Sequence, residues 1–356
     1  MKIVEVIARR EPVELVRPYT IAGRTIRAVD LFYVELVADD GRHGLGSASP
    51  SKAVTGESME ACGAALGGVD WLRGEDPRHL GRLTRLAKDH LSTTPAARAA
   101  VDMALYDLFG KIVDAPVVDL LGRRRKSPLL TSITVGIQST ESALEEVDEY
   151  LGRGFRCLKV KIGNDFDDDL ERLSRMRERT GPDVLIRVDG NQGYDFSQTA
   201  KLQHLVESLD LELVEQPLPR GSELDQRRLA LPLRRLVAAD EGVHDARDAF
   251  ELAQRPEACG IFNIKLMKCG GISGALDISN IAEQAGLELM WGCMDESVVS
   301  IAAALHAAYA CTRTRYLDLD GSFDLAKDMA EGGFEVVDGA MHLAPGPGLG
   351  VHLKKP

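Results

Sequence analysis

Residues 158–241 contain the segments LKVKIG (158–163), IRVDGN (186–191), LVEQP (213–217) and VAADE (237–241). Each segment is a short apolar run with charged side chains at or near its end, and each precedes a stretch with helical spacing. Strands buried on both faces are almost entirely apolar, so charges at their ends cost desolvation free energy and need a function. The segments therefore predict consecutive parallel strands whose carboxyl ends carry a site.

The same repeat extends in both directions along the chain. Short apolar runs occupy residues 131–137, 157–162, 184–189, 211–215, 236–240, 261–266, 287–291 and 316–320. Their midpoints lie about 26 residues apart, enough for one strand, one helix and two loops. The pattern predicts an α/β fold, a (β/α)8-type barrel of the modified TIM kind. An open doubly wound sheet would share the alternation, but the even number of strands favours closure.

The chain on either side of the repeat has a different pattern. Residues 1–125 combine alternating strands with a long apolar helix at 96–113, which predicts an α+β N-terminal capping domain that carries substrate-specificity loops. Residues 126–321 would form the barrel, with the catalytic and metal-binding residues. Residues 322–356 would pack back on the capping domain, and the Asp338–Gly339 pair within them suits the turn of a hairpin.

Composition and charge exclude several classes of function. The protein has 43 basic and 55 acidic residues, and the resulting net charge of -12 repels nucleic acid and anionic membranes. Neither an export signal nor an apolar run of about eighteen residues is apparent, and the cysteines form no CxxC pair. We expect a cytoplasmic enzyme that acts on a small molecule, with no nucleic acid or membrane partner. The acidic surface permits a homo-oligomer.

Three consecutive predicted strands each end in one carboxylate, namely Asp189, Glu215 and Asp240. The carboxyl ends of barrel strands form one face, so these side chains should converge at one side of the barrel mouth. Oxygen ligands without histidine or cysteine suit Mg²⁺ better than zinc. Helix capping would explain one such carboxylate, but it explains three in a row less well. We predict that the three carboxylates bind Mg²⁺.

Lysines stand at the ends of two other predicted strands. Lys159 and Lys161 share one face of the second strand, and Lys265 lies on the sixth, which is the opposite wall of an eight-stranded barrel. Lysines on both sides of a substrate could remove a carbon-bound proton from one face and return it to the other. This requires a lysine pKa below its usual value of about 10.4, and we expect the metal and the neighbouring ammonium group to lower it. The alternative is that these lysines only neutralise the carboxylates.

Several ordered motifs resemble those of the enolase superfamily, specifically its muconate-lactonizing subgroup. They are KVK (159–161), RVDGN (187–191), VEQP (214–217), ADE (239–241) and NIKLMKCGGI (263–272), and the resemblance extends over the whole chain. It implies that the metal stabilises an enediolate formed from a substrate carboxylate. It further implies that Lys161 and Lys265 are the acid/base pair, and that Lys159 helps to hold the substrate carboxylate.

The eighth predicted strand narrows the range of possible substrates. Its Asp318-Leu319-Asp320 resembles the Asp-x-Asp of the dipeptide epimerases, in which paired carboxylates receive the α-ammonium group of the substrate. Alternation puts both aspartates on one face, although either could instead cap a helix. The resemblance implies an isomerase that transfers a proton at the α-carbon of the C-terminal residue of a dipeptide. Thr134, on the first strand, is a further predicted substrate-binding residue.

The side chains of the dipeptide are less well determined. Asp295, in WGCMDES (291–297), would suit a lysine or arginine side chain, and this favours cationic dipeptides. Arg24 matches an arginine that binds the terminal glutamate in Ala-Glu epimerases, so an L-Ala-D/L-Glu epimerase is an alternative. Glu57 is the only acidic residue in the predicted capping loop at 49–57.

Other reactions of the superfamily remain open alternatives. They include N-acylamino acid racemase, succinylbenzoate synthase and acid-sugar dehydratase activity, which is that of a lyase. A binding protein descended from an enzyme is a third class. The intact set of three carboxylates and two lysines argues against it.

Overall fold

An antiparallel three-stranded sheet begins the chain. The computed structural model describes residues 1–21, 24–123 and 125–355, without the side chains of residues 19–21 and 24. The sheet contains β1 (Ile3–Ile21), β2 (Arg24–Ala38) and β3 (His43–Ala48), in that order. Five of the six residues of β3 are buried, and the buried residues of β2 lie in its second half, from Leu31 onward.

Four α-helices follow the sheet: α1 (Met59–Gly67), α2 (Leu80–His90), α3 (Pro95–Val113) and α4 (Val117–Leu120), with a 3-10 helix at Val69–Leu72 between the first two. Helix α3 is buried on nearly every side, as its almost uniformly apolar sequence predicts. It lies directly against β3, where a Cβ atom on Gly46 would come within 1.8 Å of the carbonyl oxygen of Ala100. Glycine in β3 therefore allows the helix and sheet to pack closely.

Eight parallel strands form the sheet of the second part of the chain. After the short β4 (Leu129–Leu130), they are β5 (Ile133–Val135), β6 (Cys157–Lys161), β7 (Leu185–Asp189), β8 (Leu211–Glu215), β9 (Val237–Ala239), β10 (Ile261–Ile264), β11 (Glu288–Gly292) and β12 (Thr314–Asp318). They pair in chain order. A parallel bridge between Thr131 and Leu317 connects the two edges of the sheet, next to the first strand and on the last. The predicted barrel is confirmed.

Helices connect the barrel strands: α5 (Thr140–Gly152), α6 (Phe166–Thr180), α7 (Phe196–Leu209), α8 (Glu223–Arg228), α9 (Leu231–Leu236), α10 (Ala246–Leu252), α11 (Leu266–Cys269), α12 (Ile272–Ala285) and α13 (Val298–Ala310). Polar side chains begin several of them: Asp165 and Asp195 accept backbone N–H groups of the first turns of α6 and α7. Along each strand, alternate residues face the barrel interior.

A layer of buried residues lies below the charged strand ends, two residues earlier along several of the strands. It comprises Leu213, Ala238, Ile261, Met290 and Tyr316, a cluster separate from the main core. Leu213 precedes Glu215 by two residues, and Tyr316 precedes Asp318 by two, so these apolar side chains share the inward face with the carboxylates. The charged strand ends therefore stand above a largely apolar layer, in which the buried Arg187 is the charged exception and lies over the ring of Tyr316.

The C-terminal segment contains β13 (Ala330–Gly332), β14 (Phe334–Val337), β15 (Ala340–Leu343) and β16 (Val351–Leu353). The predicted hairpin of β14 and β15 is confirmed, with Asp338 and Gly339 both at positive φ. The hairpin pairs with β4, and the backbone N–H of Leu349 donates to the buried Asp107 of α3. The division of the chain at residues 125 and 321 remains a prediction. Among the described residues, no helix has the length and apolarity needed to span a membrane.

Candidate active site

A cavity of about 650 Å³ opens at the carboxyl ends of the barrel strands, and we call it the barrel-mouth cavity. Eight of the predicted site residues line it: Thr134, Lys159, Lys161, Asp240, Lys265, Asp295, Asp318 and Asp320. Asp189 and Glu215 are completely buried and contact the lysines that line the cavity. The side chain of Arg24 lies outside the described residues. The fold thus brings together ten of the eleven predicted residues.

Lys159 occupies the centre of the charged cluster. Its Nζ atom lies 2.7 Å from Asp318 Oδ2, 2.8 Å from Glu215 Oε2 and 3.1 Å from Asp189 Oδ2. The side chain is only 3% exposed. One ammonium group therefore connects two of the predicted metal ligands with a predicted substrate-binding carboxylate.

The other two lysines bind different carboxylates on facing walls. Lys161 Nζ lies 2.6 Å from Asp189 Oδ2 and 3.0 Å from Asn191 Oδ1. Lys265 Nζ lies 2.7 Å from Asp240 Oδ2. Because β6 and β10 are four strands apart in an eight-stranded barrel, the two ammonium groups approach the barrel-mouth cavity from opposite sides.

The predicted depression of the lysine pKa values depends on a bound metal and stays a prediction; the protein side chains alone act in the opposite direction at Lys159 and Lys265. Burial alone would lower both. The carboxylates of Asp318 and Glu215 outweigh burial at Lys159 and hold its pKa well above the usual value. At Lys265, Asp240 likewise outweighs burial and the like charge of Lys159 and raises the pKa. Without a metal, the carboxylates that surround each of these two lysines determine the direction of the pKa shift.

The carboxyl groups of the cluster differ from one another in pKa. Burial, together with the negative charge of Asp189, raises the pKa of the Glu215 carboxyl to about 8. Burial acts in the same direction on Asp189, but the ammonium groups of Lys161 and Lys159 outweigh it and lower the pKa to about 2. Glu215 therefore ionises less readily than Asp189, because the nearby ammonium groups offset the cost of its burial less completely.

The donor set fits a divalent cation such as Mg²⁺. Glu215 Oε1 accepts a hydrogen bond from Asn263 Nδ2 at 2.7 Å, but the buried Oε2 has none, since its contact with Lys159 is poorly aligned. The acidic, histidine and cysteine side chains of the described residues form no group of three spaced to hold a metal as they stand. Lysine ammonium groups instead contact these carboxylates. Three buried carboxylates with an unsatisfied oxygen are nevertheless the ligands that Mg²⁺ prefers.

Two residues that the sequence reasoning did not assign to the site hold Asp240 in place. Lys268 Nζ lies 2.5 Å from Asp240 Oδ1 and 2.6 Å from its carbonyl oxygen. The side-chain oxygen of Gln216 accepts the backbone N–H of Asp240 at 2.9 Å. Burial opposes ionisation of Asp240, but Lys265 and Lys268 lower its pKa well below the usual value. The positions of Gln216 beside Glu215 and of Lys268 beside Lys265 were the available signals in the sequence.

The two aspartates of the eighth strand have different partners. Asp318 Oδ1 accepts a hydrogen bond from Ser132 Oγ at 2.7 Å, while its Oδ2 contacts Lys159. Asp320 Oδ2 accepts the backbone N–H of Thr134 at 2.8 Å. Burial and the charge of Asp318 raise the pKa of the Asp320 carboxyl to about 7. A cationic group placed between the two aspartates would relieve this repulsion.

Additional carboxylates line one wall of the barrel-mouth cavity. They are Glu145, Glu146 and Glu149 of α5 and Asp324, beyond the eighth strand. Arg17 of β1 pairs with Glu146 at 3.1 Å and Glu149 at 2.7 Å. Asp295 lines the cavity too, and its carbonyl oxygen accepts a hydrogen bond from Ser49 Oγ at 2.8 Å. The cavity is therefore predominantly acidic, as the prediction of a cationic substrate requires.

Glu57, the acidic residue of the predicted capping loop, does not line the barrel-mouth cavity. Its carboxylate accepts the backbone N–H groups of Ala96 at 2.6 Å and Ala97 at 3.3 Å, and the side chain is buried. It therefore caps the N-terminus of α3 and binds the positive end of that helix.

Comparisons with known protein families cover almost the whole chain. Residues 3–122 match the N-terminal domain of mandelate racemase / muconate lactonizing enzyme, and residues 142–356 match the enolase C-terminal domain-like family. The chain is 52% identical to the L-Lys-D/L-Arg epimerase of Methylococcus capsulatus over 99% of both chains. It is 33% identical to the L-Ala-D/L-Glu epimerase of Bacillus subtilis over 99% of this chain and 97% of that one.

Solved structures give the same grouping. The dipeptide epimerase of Methylococcus capsulatus, complexed with Mg and the dipeptide L-Arg-D-Lys, superposes with a TM-score of 0.97 at 52% identity over 99% of both chains. A substrate-liganded complex of the Bacillus subtilis L-Ala-D/L-Glu epimerase has a TM-score of 0.92 at 33% identity, again over 99% of both chains.

Proposed function

The chain belongs to the dipeptide epimerase family of the enolase superfamily, and from that premise we propose that it epimerises dipeptides with cationic side chains in a Mg²⁺-dependent reaction. The stereocentre that it inverts is the α-carbon of the C-terminal residue. The observation that carries the proposal is the placement of Lys161 and Lys265 on opposite walls of one acidic cavity, each bound to a different carboxylate.

Three carboxylates, Asp189, Glu215 and Asp240, would hold the metal. When bound, Mg²⁺ withdraws negative charge from the substrate carboxylate and so makes the α-proton more acidic. Lys159 contacts both Asp189 and Glu215, so its ammonium group is positioned to bind the substrate carboxylate on the same side of the cavity. Lys268 and Gln216 keep Asp240 in its orientation.

The two lysines move the proton. Lys161 takes the α-proton from one face of the substrate and Lys265 supplies a proton to the other face; in the reverse direction the roles exchange. The lysine that acts as base must first be neutral. Metal binding at Asp189 and Asp240 would leave less carboxylate charge to stabilise the ammonium form of the base.

Acidic side chains would bind the remaining cationic groups of the substrate. Asp318 and Asp320 lie on the same side of the eighth strand and would receive the α-ammonium group. Asp295 would bind the cationic side chain of one residue, in keeping with the excess of carboxylates in the cavity. The 52% identity to an L-Lys-D/L-Arg epimerase supports this choice of substrate over the glutamate-containing alternative.

The proposal is tested by incubating the protein with L-Lys-L-Arg, L-Arg-L-Lys and L-Ala-L-Glu in D₂O containing Mg²⁺. We expect the cationic dipeptides to gain the mass of a single deuterium and to yield a second diastereomer. Chelation with EDTA should stop both changes, and added Mg²⁺ should restore them. Exchange of L-Ala-L-Glu without exchange of the cationic dipeptides would overturn the proposed substrate preference. Arg24 would then be the residue that binds the glutamate side chain. A separate incubation with acid sugars tests the lyase alternative, which their dehydration would support.

A further inference from the structure

A buried charged pair lies at the start of helix α6, outside the barrel-mouth cavity. Asp169 and Arg172 are only 2% and 4% exposed, and Arg172 Nη2 lies 2.5 Å from Asp169 Oδ1. Neither residue has a part in the metal site or the proton transfer described above. Burial of an ion pair costs desolvation free energy that the pairing seldom recovers in full, so this pair needs an explanation other than stability.

The pair is connected to the backbone that carries Lys161. Arg172 Nη2 donates to the carbonyl oxygen of Lys161 at 2.8 Å. Asp169 Oδ2 accepts the backbone N–H of Gly163 at 2.8 Å and the hydroxyl of Tyr194 at 2.6 Å. The network therefore joins the end of β6 to the loop after β7, which follows the predicted metal ligand Asp189.

Lys161 is at the point where regular strand pairing stops on one side. Strand β5 pairs with β6 only as far as Val135 and Val160, and the carbonyl of the next residue is the one that Arg172 binds. Gly163, two residues further, is packed so tightly that a Cβ atom there would lie 2.4 Å from the carbonyl oxygen of Gly190. The main chain around Lys161 is thus fixed by side chains of α6 and by close backbone packing.

Lys265 is held by other contacts. Its Nζ binds Asp240, which is in turn held by Lys268 and Gln216. The hydrogen bonds of Asp169, Arg172 and Tyr194 described above are with one another, with backbone at residues 161 and 163, and in the case of Arg172 with the carbonyl of Gln138 as well. The network therefore supports one wall of the barrel and not the opposite one.

We propose that Arg172, Asp169 and Tyr194 are positioning residues for Lys161, and that they set the rate of proton transfer on the Lys161 side of the substrate alone. This inference rests on the proposed function, because it takes Lys161 as one of the two proton-transferring groups. A displacement of a catalytic group by about 1 Å lowers the rate by up to about 100-fold. Loss of the network should therefore slow one of the two proton transfers and spare the other.

The test compares the two diastereomers of one cationic dipeptide in the Mg²⁺-loaded protein. The initial rate of α-hydrogen exchange with D₂O is measured separately from each diastereomer for the wild type, Arg172→Met and Lys161→Ala. Lys161→Ala identifies the diastereomer that Lys161 deprotonates. With Arg172→Met we expect exchange from that diastereomer to fall by about 10- to 100-fold, while exchange from the other changes by less than about 2-fold.

Arg177→Met is the matched control. Arg177 is in the last turns of the same helix and donates to the carbonyl oxygens of Leu209, Gly181 and Val184, away from the cavity. Its replacement should leave the ratio of the two exchange rates unchanged. A merely structural role of Arg172 would slow exchange from both diastereomers equally, and that result would overturn the inference.

Two milder variants keep the test decisive if Arg172→Met does not fold. Tyr194→Phe removes only the hydroxyl that donates to Asp169, and it should slow exchange on the Lys161 side by about 5-fold or less. Arg172→Lys retains the charge and should recover part of the lost rate. An unchanged exchange ratio in Tyr194→Phe and Arg172→Lys alike would refute the positioning role. Failure of the wild type to exchange any dipeptide would instead refute the proposed function, before any variant is made.

Discussion

Lys159 donates a hydrogen bond to Asp318 at 2.7 Å, so the second and eighth strands of the barrel are joined directly by opposite charges. The same ammonium group is 2.8 Å from Glu215. The part of the cavity that would bind the metal and the part that would bind the substrate α-ammonium group therefore share one buried cation. A change in either part should affect the other through Lys159.

Replacement of Asp318 should be more harmful than replacement of Asp320. Asp318→Asn weakens binding of the substrate ammonium and also removes the charge opposite Lys159, whereas Asp320 accepts hydrogen bonds from the backbone of Thr134 and from Cys293 Sγ. We expect both variants to raise KM by about 10-fold or more, and only Asp318→Asn to lower kcat substantially as well. Steady-state kinetics of the two variants provide the comparison. Equal kcat values would contradict a role of the Lys159–Asp318 contact in the reaction.

The two lysine variants should have complementary defects. Lys161→Ala and Lys265→Ala should each reduce epimerisation by about 1000-fold or more, because inversion needs a proton donor and acceptor on opposite faces. Each variant should still exchange the α-hydrogen of one diastereomer, and that diastereomer should differ between the two. The measurement is deuterium incorporation by mass spectrometry for each diastereomer. Loss of the same exchange in both variants would show that the lysines do not act on opposite faces.

Asp295 should determine the preference for a cationic side chain. Asp295→Asn keeps the size of the side chain but removes its charge, so we expect kcat/KM for Lys-Arg dipeptides to fall by about 10- to 100-fold. For a dipeptide with neutral side chains, kcat/KM should change little, and this substrate serves as the internal control. An equal decrease for both substrates would mean that Asp295 supports the fold of the loop and not the choice of substrate.

Glu57 should matter for stability and not for specificity. Glu57→Ala leaves Ala96 and Ala97 at the N-terminus of α3 without their carboxylate partner, and we expect the free energy of unfolding to fall by about 1–2 kcal/mol. Urea denaturation measures this change. The ratio of kcat/KM values between cationic and neutral dipeptides should stay that of the wild type; a shifted ratio would place Glu57 in substrate binding after all.

His306 should make unfolding sensitive to mild acid. The ring is fully buried in α13, its Nδ1 accepts the backbone N–H of Val118 at 3.0 Å, and burial lowers its pKa from 6.5 to about 4. Between these values the unfolded chain binds a proton that the folded protein does not, so this contribution to stability is present above pH 6.5 and is lost as the pH falls toward 4. We expect a loss of about 2 kcal/mol between pH 7 and pH 5.

The measurement for His306 is urea denaturation at both pH values. His306→Asn, which does not titrate, is the control, and the difference between the wild type and this variant isolates the histidine from other titrating groups. The same pH dependence in both proteins would show that His306 does not contribute it.

The sequence predicts the barrel and its charged strand ends well because both depend on the contrast between apolar strand residues and charged residues at the strand ends. A buried strand has few charges, so Asp189, Glu215 and Asp240 stand out at the ends of apolar runs, and their equal spacing implies one shared face. The hairpin at Asp338–Gly339 was equally evident, since few dipeptides suit such a turn. The bounds of individual strands were predicted less well; the eighth strand runs from Thr314 to Asp318 and not over residues 316–320.

Features that depend on how many groups meet in space could not be predicted in this way. The raised pKa of Lys159 follows from three carboxylates on three different strands, and no local pattern shows that they reach one ammonium group. Asp169 and Arg172 are three residues apart on a helix, a spacing typical of solvent-exposed pairs, and only the structure shows that they are buried. Glu57 likewise looks like a loop residue until α3 is placed beside it.

The junction between the first and last barrel strands, which we call the seam, limits how the substrate specificity of this fold can evolve. A backbone bridge joins the two strands there, and Asp318 and Asp320 supplement it through Ser132 and the backbone of Thr134. The two aspartates proposed to recognise the substrate thus also help to close the barrel. Divergence toward substrates without an ammonium group would have to rebuild the joint at the same time, so new specificities should arise more readily at Asp295 than at the seam.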